Sequence, residues 1–206
     1  MYSSSHSYVI GFHGCDATVA KNIISGKDDL QFSENDYDWL GLGIYFWEYN
    51  EKRAIEFAEM LKRNPERTKQ IITKPAVVGA VIHLGLCLNL LESKNLKLVK
   101  EGYSIYEKAV KKSGREMPKN KSIKKDGDLL YRNLDRAVIE TTNKGFEEKS
   151  GREFDSIRGV FVEGKELYKN AGFNEKNHIQ ICIRNPNCIK GYFEPRNIDT
   201  VYPLSG

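Results

Sequence analysis

The chain has 206 residues, of which 40% are hydrophobic and 11% aromatic, enough apolar material for one sizeable core. We therefore expect a single domain over residues 1–206. Thirty-two Lys and Arg against 28 Asp and Glu leave a net charge of +4, which is too weakly basic to indicate a nucleic-acid-binding protein by itself.

The cysteine pattern and the hydropathy of the chain argue against two further classes. The cysteines lie mostly within apolar runs and lack the close pairing of a disulfide framework or a zinc site, so we expect free thiols and no bound metal. The first residues lack the basic segment and apolar stretch of a signal peptide, and no run approaches the ~18 apolar residues of a membrane helix. We expect a cytoplasmic protein without membrane association. The four cysteines are Cys15, Cys87, Cys182 and Cys188.

The start of the chain predicts a strand, a turn and a helix. Residues 8–12 are β-prone and end at His13-Gly14. Asp16 is typical of an N-cap, so we expect a helix over residues 17–24. A polar, irregular loop then leads to residue 39.

A second strand and helix follow the loop. Residues 40–47, LGLGIYFW, favour a strand because of their aromatic run, and their two glycines permit close backbone approach. A helix begins at Tyr49 or Asn50 and ends before Pro65. The apolar stretch 76–91 then predicts one or two buried strands.

The second half combines helices with short strands and indicates an α+β protein. We expect a helix over residues 96–112 and another over 129–142. Between them, residues 108–125 contain eight Lys or Arg among eighteen residues and predict a basic loop. This loop is either a solvated segment or a surface for nucleic acid or an acidic partner. Turn residues separate three predicted short strands at 157–162, 178–183 and 189–193.

Three segments occur in an order that is typical of one enzyme superfamily. They are GFHG at 11–14, LGLGIYF at 40–46 and HIQICI at 178–183. His13 precedes Tyr45 by 32 positions, and a helix is predicted after each of the first two segments. This arrangement resembles the poly(ADP-ribose)-polymerase and diphtheria-toxin branch of the ADP-ribosyltransferases, whose triad is His, Tyr and usually Glu.

The resemblance implies a fold and an activity. It implies two small antiparallel sheets packed with flanking helices and an NAD cleft between them. The implied activity is that of a glycosyltransferase-class enzyme that uses NAD as substrate, transfers ADP-ribose to a macromolecular acceptor, protein or nucleic acid, and releases nicotinamide. By analogy, a bacterial toxin or anti-phage role is implied, with an antitoxin or inhibitor protein as partner. Two alternatives are an NAD glycohydrolase and an inactive NAD- or ADP-ribose-binding module.

The resemblance also assigns roles to the residues of the first two motifs. His13 would hydrogen-bond a ribose hydroxyl, and Gly14 would offer its backbone to the nicotinamide carboxamide. Tyr45 would stack on the nicotinamide ring. Phe57, on the following helix, is a candidate for the second aromatic face of that pocket. Plain core packing is the alternative for each aromatic residue.

The third triad position departs from the family pattern. Gln180 stands where the family has a carboxylate, and an amide carries no negative charge and cannot act as a base. Glu163 is the substitute that we predict to supply the charge from a neighbouring strand, and Glu175 is a weaker candidate. A solvated surface glutamate is the alternative for both.

Two arginines and one strand face are further candidates. Arg53 and Arg158 would contact the NAD pyrophosphate through bidentate bonds, or else form ordinary surface salt bridges. His178, Gln180 and Cys182 share one predicted strand face, but their spacing matches no standard zinc arrangement. We therefore predict no metal site there.

Overall fold

The computed structural model describes residues 8–35, 38–68, 70–122, 129–197 and 200–201. Within these ranges the α-helices are α1 (Ala17–Ile24), α2 (Glu51–Arg63), α3 (Ser93–Ser113) and α4 (Asn133–Ser150). The strands are β1 (Tyr8–Asp16), β2 (Ile44–Glu48), β3 (Pro75–His83), β4 (Cys87–Asn89), β5 (Asn120–Lys121), β6 (Tyr131–Arg132), β7 (Ser156–Phe161), β8 (His178–Ile183) and β9 (Ile189–Phe193).

The predicted N-cap of α1 is confirmed. The carboxylate of Asp16 accepts the N–H of Thr18 at 2.9 Å, which satisfies a donor that a helix start leaves free. Its other oxygen accepts the N–H groups of Thr73 and Lys74, and so ties the end of β1 to the start of β3. The backbone bonds from Lys74 and Thr18 lower the pKa of Asp16 to about 2.

Seven strands form one mixed sheet in the order β4-β7-β8-β2-β1-β3-β9, and β5 pairs with β6 separately. All neighbours in the large sheet are antiparallel except the parallel pair β4–β7. The α+β class is thus confirmed. The expectation of two separate small sheets is wrong, because the pairs Gly11–Glu48 and Phe12–Trp47 join the two halves of the sheet.

Each face of the sheet is covered by helices. On one face, α1 packs against β1, β3 and β9, and its buried Ala20 and Ile23 belong to one core cluster with Phe46 and Ile181. On the other face, Ile139 of α4 and residues of α3 pack against β4, β7 and β8. On that second face α2 covers β1 and β3 and also contacts β2. We call the part of this face above β2 and β8, between α2 and α4, the groove.

Several predicted boundaries shift. The segment 40–43 begins in a turn and ends at Gly43, which forms an isolated bridge with Ser33, so β2 starts only at residue 44. The last predicted helix, 129–142, is α4 and runs from 133 to 150. The basic segment is not a loop throughout: residues 108–113 end α3, residues 120–121 form β5, and residues 123–128 lie outside the described ranges.

Candidate functional site

The strands that carry the three motifs are neighbours, in the order β1, β2, β8. Tyr45 lies opposite Cys182, and Trp47 lies opposite Gln180. Side chains of directly paired residues project from the same face of a sheet, so Tyr45, Trp47 and Gln180 share one face. We call this face, which β7 continues with Phe161 opposite His178, the site face.

The β1–β2 ladder stops where the first motif begins. It contains only the pairs Gly11–Glu48 and Phe12–Trp47. Beyond them the imidazole of His13 enters the gap, and its Nδ1–H donates to the carbonyl oxygen of Tyr45 at 2.8 Å. Because a carbonyl can only accept, this bond leaves Nε2 of the neutral ring as an acceptor. Burial lowers the pKa of His13 and favours that neutral form.

Gly14 presents its backbone to the same gap. The carbonyl of Ile10 accepts the N–H of Tyr49 at 2.9 Å, and backbone groups alternate in direction along a strand. Gly14 therefore points its N–H and C=O toward β2, where His13 has taken the Tyr45 carbonyl that a continued ladder would assign to Gly14. A Cβ on Gly14 would lie 2.0 Å from the carbonyl oxygen of Ala54, so α2 can pack here only over glycine.

The hydroxyl of Tyr45 is held by the turn that precedes β2. It donates to the carbonyl of Gly41 at 2.8 Å and accepts the N–H of Leu40 at 3.1 Å. Burial raises the pKa of Tyr45 well above its usual value, so the phenol stays protonated. The ring is thus fixed at its far end, and Tyr45 is partly buried against the core.

An ion pair fixes that turn in its place. Glu140 of α4 accepts the N–H of Leu42 at 2.6 Å and pairs with Arg184 at 2.9 Å. Arg184 also donates to the carbonyl of Leu42. The side chain of Arg184 is only 11% exposed, which makes this a largely desolvated contact. Glu140 and Arg184 therefore position Tyr45 indirectly, through their hydrogen bonds to the turn.

Gln180 is oriented by a tryptophan. Trp39 Nε1–H donates to Gln180 Oε1 at 2.6 Å, which assigns the amide oxygen to Trp39 and leaves the NH₂ group as a donor. Gly159, directly opposite Gln180, allows this approach, because a Cβ there would lie 2.6 Å from the Trp39 ring. Gln180 can consequently donate to a ligand oxygen but offers it no charge.

Arg53 and Glu163 come together at the end of the groove. Arg53 Nη2 lies 2.7 Å from Glu163 Oε2, and its other nitrogen Nη1 pairs with Glu56. Two carboxylates on one guanidinium leave a net charge of −1. Glu163 lies two residues beyond β7, where its carbonyl accepts the N–H of Lys176 at 3.0 Å. At ~3.3 Å per residue its Cα lies ~13 Å along the chain from the residue opposite Gln180. Its backbone thus pairs with the segment before β8, and its role as the substitute carboxylate stays a prediction.

A row of aromatic rings crosses the site face. The rings of Phe161 and His178 stack at 5.5 Å, those of His178 and Trp47 lie 6.2 Å apart, and Phe57 contacts Trp47 at 4.9 Å. His178 Nδ1–H donates to the carbonyl of Lys176, and burial lowers the pKa of His178. Trp47 Nε1 and His178 Nε2 are buried and lack partners among the described residues.

Two sequence candidates lie away from this groove. Arg158 forms a bidentate ion pair with Glu48 on the opposite face of the sheet, so the predicted contact with a pyrophosphate is wrong and the salt-bridge alternative holds. Glu175 is exposed in the connection before β8.

Cys182 is buried against the turn carbonyls. The described residues contain no cluster of three or more His, Cys, Asp or Glu arranged as metal ligands.

Sequence reasoning missed two tryptophans of the site face. Trp47 was not singled out, although its spacing of two from Tyr45 puts both on one face. For Trp39, in an irregular loop 141 positions from Gln180, the sequence contains no local signal.

Comparisons with known proteins give little functional information. No known family model matches the chain, and no solved structure matches it. One curated protein that matches is an uncharacterized protein of Methanocaldococcus jannaschii, 28% identical over 195 residues that cover 87% of this chain and 83% of the relative. Among the described residues, none of the helices has the length and apolar character needed to traverse a membrane. The function of this chain is therefore inferred from the geometry of its own residues.

Proposed function

We propose that the protein is an NAD-dependent ADP-ribosyltransferase of the His-Tyr type. One observation carries the proposal: the sheet opens between β1 and β2 at His13, which leaves the Gly14 backbone and the Tyr45 ring on the two sides of one gap. A planar carboxamide that stacks on a tyrosine and hydrogen-bonds a backbone N–H and C=O suits this gap.

The groups around the gap have complementary roles in this proposal. Gly14 binds the nicotinamide carboxamide, and Tyr45 stacks on its ring. His13 Nε2 accepts a hydrogen bond from a ribose hydroxyl, since Nδ1 is already bonded to Tyr45. The free NH₂ of Gln180 donates to a ribose oxygen. These contacts orient the glycosidic bond rather than cleave it.

In the reaction, the bond between the ribose C1′ and the nicotinamide nitrogen breaks, and its electron pair leaves with neutral nicotinamide. Positive charge develops on the ribose, and a nearby negative group stabilises it. The cluster of Arg53, Glu56 and Glu163 supplies one net negative charge at the end of the groove. A nucleophilic oxygen or nitrogen of the acceptor then bonds to C1′ and loses its proton to water or to a base.

A second function is favoured by the third triad position. Gln180 already accepts from Trp39, and Glu163 is paired with Arg53, so neither offers a free carboxylate. This arrangement also suits a module that binds NAD or ADP-ribose without catalysis. Water as acceptor would give an NAD glycohydrolase.

Free nicotinamide, measured after pure protein is incubated with NAD, separates these functions. We expect release only when a cell extract supplies the acceptor. Release without extract identifies a glycohydrolase, and NAD binding without release identifies a binding module. If the protein neither binds NAD nor releases nicotinamide, the proposal as a whole is overturned.

A further inference from the structure

The positive charge of the chain is concentrated in one segment. Residues 108–122 contain six basic side chains and one acidic one, so this segment carries a net charge of +5, whereas the whole chain carries +4. The rest of the protein is therefore slightly acidic. We call the six exposed side chains the basic surface: Lys108, Lys111, Lys112, Arg115, Lys119 and Lys121.

These charges are largely unpaired. Lys111 pairs with Glu107 at 3.3 Å. Arg115 donates to the hydroxyl of Ser113, which is neutral. The other four lysines form no ion pair with any residue that the structure describes.

The fold links the β5 end of the basic surface to the site face. Asn120 of β5 accepts the N–H groups of Leu134 and Asp135 with its side-chain oxygen, so the β5–β6 ribbon is attached to the first turn of α4. β6 then ends at Arg132, whose guanidinium lies 4.2 Å from the centroid of the Trp39 ring. Trp39 therefore contacts both Arg132 and Gln180.

We propose that the basic surface docks a single-stranded nucleic acid and that this strand is the ADP-ribose acceptor. The inference rests on the proposed function. The phosphates of a nucleic acid complement a surface of largely unpaired lysines, and counterion release favours such binding. A base must leave any duplex to reach the groove, and Tyr131, which is 37% exposed and precedes Arg132 in β6, carries an aromatic ring on which an unpaired base can stack.

Anisotropy of a labelled, mixed-sequence oligonucleotide of ~15 nucleotides tests the docking without NAD. The full chain is titrated against single-stranded RNA, single-stranded DNA and the matching duplex at several salt concentrations. We expect a single strand to bind with a Kd of about 10⁻⁴–10⁻⁶ M that weakens steeply with salt. Poly-glutamate of equal charge should compete at least about tenfold less well, since it offers no bases to stack.

The variant Lys112→Glu/Lys119→Glu/Lys121→Glu should lose about tenfold or more in affinity and lower the slope of log K against log salt by ~2. Its matched control, Lys21→Glu/Lys27→Glu/Lys190→Glu, changes the net charge equally on exposed sites away from the basic surface. The control should stay within about threefold of the parent.

Four results overturn the inference: no salt-dependent binding of a single strand, an equal loss in the control, duplex binding as tight as single-strand binding, or equal competition by poly-glutamate, which would indicate an acidic protein partner. Failure of the proposed function is distinct. If the strand binds while NAD is neither bound nor cleaved, the transferase proposal fails. If NAD is cleaved but no strand binds, only the inference about the acceptor fails.

Discussion

Arg53 and Glu163 are 110 positions apart in the sequence, and their side chains meet at 2.7 Å. The contact joins α2 to the end of β7 across the groove. Because Arg53 also pairs with Glu56, the cluster keeps one net negative charge. When NAD is cleaved in this groove, we expect the carboxylates of Glu56 and Glu163 to face the positive charge on the ribose.

We predict that Glu163→Gln lowers the turnover of NAD by about 10²–10⁴ and leaves NAD affinity nearly unchanged. The reason is that the carboxylate would matter chiefly in the transition state, when positive charge develops. Initial rates of nicotinamide release and calorimetric NAD affinities measure the two quantities separately. Glu175→Gln, at an exposed position, is the matched control and should behave like the parent.

A nucleophilic acceptor, such as a nucleobase nitrogen, offers a route that needs no base. In that case Glu163→Gln changes little, and Gln180→Ala impairs ribose positioning and reduces both binding and rate. An active enzyme that tolerates both substitutions would show that neither residue belongs to the reaction centre.

The affinity for NAD should fall in acid because of His13. Burial holds its folded pKa below the ordinary 6.5, so the ring is neutral at pH 7. As the pH falls through the lowered pKa, Nε2 gains a proton and can no longer accept from a ribose hydroxyl. Folding stability also falls below pH 6.5, because the unfolded chain binds this proton more readily.

Calorimetric titrations of NAD between about pH 5 and pH 8 measure the effect. His13→Gln should bind NAD more weakly and with little dependence on pH. His178→Gln separates the two buried histidines, since it should keep the pH dependence of the parent. If the pH dependence survives in His13→Gln and disappears in His178→Gln, His178 causes it and the assignment to His13 is contradicted.

Glu140 should influence NAD binding although it lies behind the turn. Glu140→Ala removes the acceptor for the Leu42 N–H and one partner of Arg184, which should cost about 1–3 kcal/mol in the free energy of unfolding. The loosened turn should also weaken NAD binding through Tyr45. Glu148→Ala, an exposed substitution on the same helix, is the control for thermal melts and calorimetry. If Glu140→Ala destabilises the protein but leaves its NAD affinity unchanged, the turn does not position Tyr45 for NAD binding.

Local signals predicted the parts of the fold that depend on neighbouring residues. The N-cap of α1 and the bounds of β8 and β9 agree with the sequence pattern. Asp16 contacts Thr18 two positions away, and alternation within β8 is visible in six residues. In these places the residues that decide the structure are adjacent in the chain.

Distant contacts explain the misplaced start of α4. Its helical pattern suggested residue 129, but Tyr131–Arg132 pairs with β5, and Asn120 caps the helix from fourteen positions away. Prediction of the site residues was limited by distant contacts in the same way. Motif spacing predicted Tyr45 and Gln180, whereas the Trp39–Gln180 contact joins residues 141 positions apart and follows only from the register of the sheet.

The affinity of NAD for the parent and for two variants of Tyr45 tests the cleft most directly. If nicotinamide stacks on this ring, Tyr45→Ala should weaken binding by about tenfold, from the loss of stacking. Tyr45→Phe keeps the ring and gives up the bonds of the hydroxyl, among them those to Leu40 and Gly41, so it should bind better than the alanine variant. His13→Ala should weaken binding as well. If the parent does not bind NAD, or if Tyr45→Ala and His13→Ala both bind it like the parent, the gap between β1 and β2 is not the NAD site.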